Sequence, residues 1–202
     1  MIREFIVRAR KARTDPFFNL NDLPGSGGRM DLVARCISSA LFVSENLRKD
    51  TIVHVVLEGP SRPPRIVTFY GETLRKVAPD ERNIASHIKI ALEKGLNLKT
   101  GEEIDVSPGI KISKKSWESL IKEKQNECKL FYLHSKGERI GNIDLEKYDH
   151  VCFILGDHKG MPKKSEQLLK KLNVERISLG RVTYFASHSI TIAHYELDKR
   201  IF

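Results

Sequence analysis

"CFILGDHKGMPKKSEQLLKK", Cys152–Lys171, carries the reading of the fold. An apolar run ends at Leu155, Gly156 and Gly160 bracket Asp157, His158 and Lys159, and a lysine-rich helical pattern follows Pro162. Strand, glycine turn and helix in succession are the unit of a parallel α/β sheet, whose ligands sit off the carboxyl ends of the strands. The loop is open to four readings: a phosphate cradle, a metal site, a pocket for another cofactor, or a plain tight turn. A P-loop is excluded, because Lys-Ser/Thr is missing where phosphates need it.

Two similar units flank it. "CKLFYLH" (Cys128–His134) and "VERISLG" (Val174–Gly180) read as strands, with glycine at Gly137 and Gly180. Helical patterns follow in "PKKSEQLLKKL" and "SHSITIAHYELDKR". Glycine at a strand end lets backbone groups approach a ligand closely. Three such turns along one sheet edge point to a pocket there.

Upstream, "REFIVRA" alternates and predicts a half-buried first strand, whereas the continuous apolar run "TIVHVVLEG" predicts a strand covered on both faces. "PGSGG" reads as a flexible loop leading to a helix from about Met30 to Leu47, with Arg29 at its mouth. Leu32, Val33, Cys36, Ile37, Ala40 and Leu41 have the spacing of its buried face. "RIVTFYG" is a further strand, and Asp80 and Gly95 mark the ends of a helix. "EEIDVSPGIKISKKS" suggests a short hairpin or irregular connection, and "WESLIKEKQ" another helix. No repeat or linker is evident, so residues 1–202 read as one domain. The expected class is α/β, with a mainly parallel sheet and helices on both faces.

The 202 residues carry a formal charge of +9, which suits a polyanionic partner, nucleic acid before membrane. No apolar run is long enough to span a membrane, and the N-terminus has no signal-peptide core, so a cytoplasmic protein is expected. Cys36, Cys128 and Cys152 are far apart and read as free thiols in a reducing compartment. The seven histidines form no zinc motif, so no metal is expected. No nucleophile elbow is present, and no cysteine sits in an activating context. Glu58 closes an otherwise apolar strand; partly desolvated, it has the character of a base, and salt-bridged to Arg62 it is only structural. Arg8, Arg10, Arg13, Arg29, Arg62 and Arg65 are candidates for a phosphate-binding face, a charge run being otherwise a solvated surface.

"LHSKGE", "FILGDHKGMP" and "ISLGRVTYFASHSITIAHYELD" resemble the knotted SPOUT methyltransferases, and within them the archaeal tRNA pseudouridine-54 N1-methyltransferases. "LPGSGGRMDLVARCISSALFVS" and "VLEGPSRPPRIVTFYGE" extend the resemblance to nearly the whole chain. It implies a C-terminal deep trefoil knot, S-adenosylmethionine bent within it, and a homodimer packed through it. It places Leu133, Gly156, Leu179, Gly180, Arg181, Val182, Thr183, Tyr184 and Ser189 at the cofactor. Relatives often carry cysteine where Ser189 stands, so a thiol role is not carried over. The implied reaction is methyl transfer to N1 of pseudouridine in the T-arm of tRNA. Glu58 would orient N1–H or take its proton, and the six arginines would hold the RNA. A pseudouridine of ribosomal RNA, or RNA binding without catalysis, are the alternatives.

Overall fold

The structure is a computed structural model that describes residues 1–44, 46–157 and 160–200. In chain order the elements are β1 (Ile2–Ala9), α1 (Met30–Leu41), β2 (Phe42–Val43), β3 (Asn46–Leu47), β4 (Thr51–Leu57) and β5 (Arg65–Tyr70). Then come α2 (Glu81–Lys94), β6 (Glu103–Ser107), β7 (Ile110–Ser113) and α3 (Trp117–Gln125). The last third holds β8 (Lys129–Arg139), β9 (His150–Gly156), α4 (Lys163–Lys171), β10 (Glu175–Ser178) and α5 (Ala186–Asp198). An eight-stranded sheet has the order β10-β8-β9-β1-β4-β5-β7-β6. Pairing is parallel from β10 through β4, and antiparallel from β4 to β6.

The expected half-buried β1 is instead covered on both faces. It lies between β4 and β9, and residues 3–9 are all buried. Phe5, Val7 and Ala9 face the core under α1, α2 and α5, while Ile6 faces the core under α3 and α4. Strand alternation puts Arg3 and Glu4 indoors on opposite faces, and each finds partners. Arg3 donates to Asp198 at 2.5 Å and pairs with Asp50 at 3.1 Å. Glu4 receives Lys124 at 2.9 Å. The polar letters that mimic a solvent face are thus buried ion pairs. The rings of Phe5, Phe153 and Phe131 run across three neighbouring strands at 5.5 and 6.0 Å. Each such side chain contributes about 1.5–3 kcal/mol by burial.

The helix expected to reach Leu47 stops at Leu41, where Phe42 turns extended and a β2–β3 hairpin follows. Aromatic and β-branched Phe42 and Val43 favour that turn to strand. Leu32 is only half-buried. Asp80 caps α2 by accepting from the Asn83 amide at 2.8 Å, and Gly95 closes it, as its sequence predicts. "EEIDVSPGIKIS" is the β6–β7 hairpin. The loop "PGSGG" is pinned down, not free: a Cβ on Gly28, at φ +64°, would stand 2.0 Å from the Lys11 carbonyl. That approach ties the start of α1 to the exit of β1.

β8 runs longer than its sequence suggests and bends. β10 pairs with Phe131 and Tyr132, then shifts register to pair with Glu138 and Arg139. Between those contacts Gly137 lies against the β10 backbone, where a Cβ would stand 2.5 Å from the Arg176 carbonyl carbon. Gly137 therefore serves the close packing of β8 against β10.

Candidate functional site

The carboxyl ends of β1, β8, β9 and β10 surround a cavity of about 850 Å³. The start of α1 and the loop from β10 to α5 complete its wall. That volume falls within the ~300–1,000 Å³ usual for small-molecule sites. Leu133, Gly156, Leu179, Gly180, Val182, Thr183, Tyr184 and Ser189 all line it, whereas Arg181 is exposed and outside the lining. The glycines play different parts. A Cβ on Gly156 would stand 2.7 Å from the carbonyl carbon of Gly160, so the chain itself needs the room there. Gly180 has φ +127° with nothing within 4 Å of a Cβ, so conformation rather than space requires glycine. Ser178 Oγ accepts from the Gly180 amide at 3.1 Å and holds that turn. Among the described residues, no hydrogen bond engages the backbone of Arg181–Tyr184. A loop of free amides and carbonyls beside apolar walls suits an adenine, whose edge offers both donors and acceptors.

Tyr132, His134, Glu166 and Cys36, none of them a site candidate by sequence, also line the cavity. Tyr132 Oη donates to Glu166 Oε1 at 2.9 Å, and burial together with that carboxylate pushes the phenol pKa up. Burial, then the Arg176 cation, lowers His134. Burial pushes the Cys36 thiol up to about 12, so it stays protonated at neutral pH. Only assembly of the sheet brings these four, from β8, α4 and α1, around one cavity.

Glu58 lies outside the cavity lining. Its oxygens accept from Arg8 Nε and Nη2 at 2.8 and 2.9 Å, so its partner is Arg8 and not Arg62. Arg8 also donates to Ser165 Oγ and lies 4.7 Å from the Trp117 ring centre. It is a buried cross-link between β1, the end of β4 and helices α3 and α4. Arg65 is likewise buried, at 1% exposure, and donates to the Pro64 carbonyl at 2.9 Å. The other four arginines reach the surface. Arg10 pairs with Asp157 at 3.3 Å, Arg13 with Asp15 at 2.7 Å, and Arg29 with Asp31 at 2.9 Å on the cavity wall. Arg62 is exposed and donates to the Leu96 carbonyl at 3.2 Å. Asp157 also accepts from the Arg10 amide, which ties the β9 turn to β1; His158 and Lys159 lie outside the described residues.

Residues 2–202 match the family model described as "Putative SAM-dependent RNA methyltransferase". The tRNA (pseudouridine(54)-N(1))-methyltransferase of Methanococcus maripaludis is 43% identical over 199 residues, covering 98% of this chain and 99% of that one. The chain belongs to this family. The enzyme of the same name from Methanocaldococcus jannaschii is also 43% identical, covering 98% of both chains. Among solved structures, Archaeoglobus fulgidus Nep1 bound to S-adenosylhomocysteine matches all of both chains with a TM-score of 0.65 at 13% identity. The architecture is therefore the knotted SPOUT fold.

Proposed function

We propose that this chain methylates N1 of pseudouridine at position 54 of tRNA, using S-adenosylmethionine, with residues 1–202 acting as one domain. The observation that carries this reading is the cavity at the knot, lined by eight of the nine residues that the family pattern marks, in a chain 43% identical to enzymes of that name. When bound, S-adenosylmethionine supplies a methyl group already activated by its sulfonium. The protein's task is then chiefly to align the attacking nitrogen with it. Leu133, Gly156 and the loop Leu179–Tyr184 hold and bend the cofactor through backbone groups and apolar contact, with Ser189 beside them.

Pseudouridine presents an N1–H that uridine lacks, and its proton leaves as the nitrogen–carbon bond forms. Glu58 is committed to Arg8, so we assign it to positioning that cross-link. Asp157 and Glu166 are the carboxylates on the cavity wall, and they replace Glu58 as candidates to orient N1–H. Arg10, Arg13, Arg29 and Arg62 serve phosphates and splayed bases of an RNA loop. Arg8 and Arg65 leave that list because they are buried.

No helix of the described residues is long and apolar enough to cross a membrane, and we place the enzyme with its tRNA in the cytoplasm. Val182, Phe185 and Tyr195 are exposed by 62%, 66% and 63% on the last loop and α5, and we infer that a second copy covers them as a homodimer. Sedimentation of the wild type as a dimer and of Phe185→Asp as a monomer is expected; a monomeric wild type would refute the dimer. The activity is tested by incubating pseudouridine-54 and uridine-54 tRNA with protein and methyl-labelled cofactor, then mapping the label by mass. Label is expected at pseudouridine 54 alone. Transfer to the uridine form would rule out the N1 mechanism.

A further inference from the structure

We propose that Glu4, Cys128 and His150 form a binding site for a thiophilic divalent metal ion, for which zinc is the natural occupant. The site stands at the end of the sheet away from the cofactor cavity: Glu4 is near the start of β1, His150 opens β9 and Cys128 precedes β8. Glu4 is about five residues, or roughly 17 Å of strand, from Ala9 on the cavity wall.

Carboxylate oxygen, thiol sulfur and imidazole nitrogen all lie within 4.8 Å of one another. Oxygen, sulfur and nitrogen are the donors zinc accepts. His150 Nε2 is 3.2 Å from Glu4 Oε1, yet it has no hydrogen-bond partner among the described residues. Two donors held about 2.0–2.1 Å from a tetrahedral zinc stand about 3.3 Å apart. The separation is therefore that of two ligands sharing an ion.

Glu4 is fully buried, and its Oε2 has no hydrogen-bond partner. His54 Nε2, also orphaned, faces that oxygen at 3.4 Å, while His54 Nδ1 meets Thr68 Oγ1 at 2.9 Å. Once Oε1 turns to a metal, Oε2 can accept a hydrogen bond from His54 Nε2–H. That gives the ligating carboxylate the orienting partner such ligands use.

Lys124 is the competitor. Its Nζ is 2.9 Å from Glu4 Oε1, and burial is overcome by His54 and Lys124 to hold the Glu4 carboxyl at about 2. Lys124 has a second partner in the exposed Glu127, at 2.7 Å, to which it can retreat. Metal binding then breaks the Cys128 S–H bond, forms the metal–sulfur bond and releases the proton to solvent. The ion would clasp β1, β9 and the entrance to β8, stabilising the sheet without touching methyl transfer.

The test is titration of cobalt(II), a spectroscopic stand-in for zinc, into untagged, reduced protein. One cobalt per chain is expected, with a thiolate-to-metal charge-transfer band and visible bands of tetrahedral cobalt, both bleached by zinc. Cys128→Ser should lose the charge-transfer band while keeping methyl transfer, and His150→Ala should weaken binding by at least about tenfold. Lys124→Met should tighten binding by about tenfold, an effect that adventitious surface binding would not produce. Absence of the thiolate band in the wild type, its survival in Cys128→Ser, or unchanged affinity in Lys124→Met would overturn the proposal.

Discussion

The two ends of the parallel strands use the same residue alternation for opposite purposes. At the carboxyl end, β1, β8, β9 and β10 offer glycine, leucine and free backbone to a cavity. At the amino end, β1 carries Arg3 and Glu4 into the interior, where Asp50, Asp198, Lys124 and two histidines surround them. Charge at one end is consumed in holding elements together. At the other end Arg29, Asp157 and Glu166 stand on the cavity wall beside backbone and apolar side chains. Arg8 and Arg29 repeat the contrast within one residue type. Arg8 is locked beneath α3 and α4, whereas Arg29 stands at the cavity mouth.

The largest test of this contrast is Arg8→Ala. Removing the cation strands Glu58 and Ser165 in a half-dry layer, and a loss of about 3–5 kcal/mol is expected by denaturant unfolding. A stability change below about 0.5 kcal/mol would return Arg8 to the surface class.

His194 tests the amino end. Its Nε2 donates to the Ala40 carbonyl at 2.9 Å and Nδ1 accepts from Arg3 at 3.2 Å, so the folded ring is neutral. Burial, then Arg48 and Arg3, lower its pKa to about 3. The unfolded chain takes up this proton near pH 6.5, so it binds more protons than the folded chain between there and about 3. The His194 contribution to stability is therefore constant above about 6.5 and falls by up to about 1.4 kcal/mol for each pH unit below it. His194→Gln should remove the slope between about pH 6 and 4. Nearer pH 4 to 2, protonation of Glu4, Asp15 and Asp198, each held at about 2, adds further acid loss. An unchanged slope in His194→Gln would mean that the ring is not buried neutral.

A smaller effect is expected at the carboxyl end from Gly180→Ala. No atom opposes the new methyl group, but φ +127° is costly for alanine, about 1–3 kcal/mol. Cofactor affinity should fall about tenfold with the fold intact. Full affinity would show that the loop tolerates rearrangement.

Much of the fold is legible in the letters because its strands are apolar runs, its last three strands lead to glycine loops, and helices follow two of them. The misread charges have one cause. Arg3 and Glu4 look like solvent residues because a sequence shows charge but not the partner that neutralises it, here 195 and 120 positions away. For the same reason Glu58 and Arg8 read as a base and a phosphate ligand, when each is the other's partner. The cavity is legible in Gly156 and Gly180, whose need for glycine is local. Tyr132, His134, Glu166 and Cys36 carry no local signal, since nothing in "FYLH" or "SEQLL" says that β8 and α4 face one wall. At Gly137 the signal has another origin, for close strand packing and a ligand approach both demand a missing side chain.

Gly156 is the residue at which the glycine-lined carboxyl end is tested as the cofactor cavity. Calorimetric titration with S-adenosylhomocysteine should show one site per chain in the wild type. In Gly156→Val the side chain must push aside the Gly160–Met161 backbone, and affinity should fall about a hundredfold or more while the circular dichroism spectrum is kept. Equal affinity in the two proteins, with the fold verified, would exclude this cavity as the cofactor site.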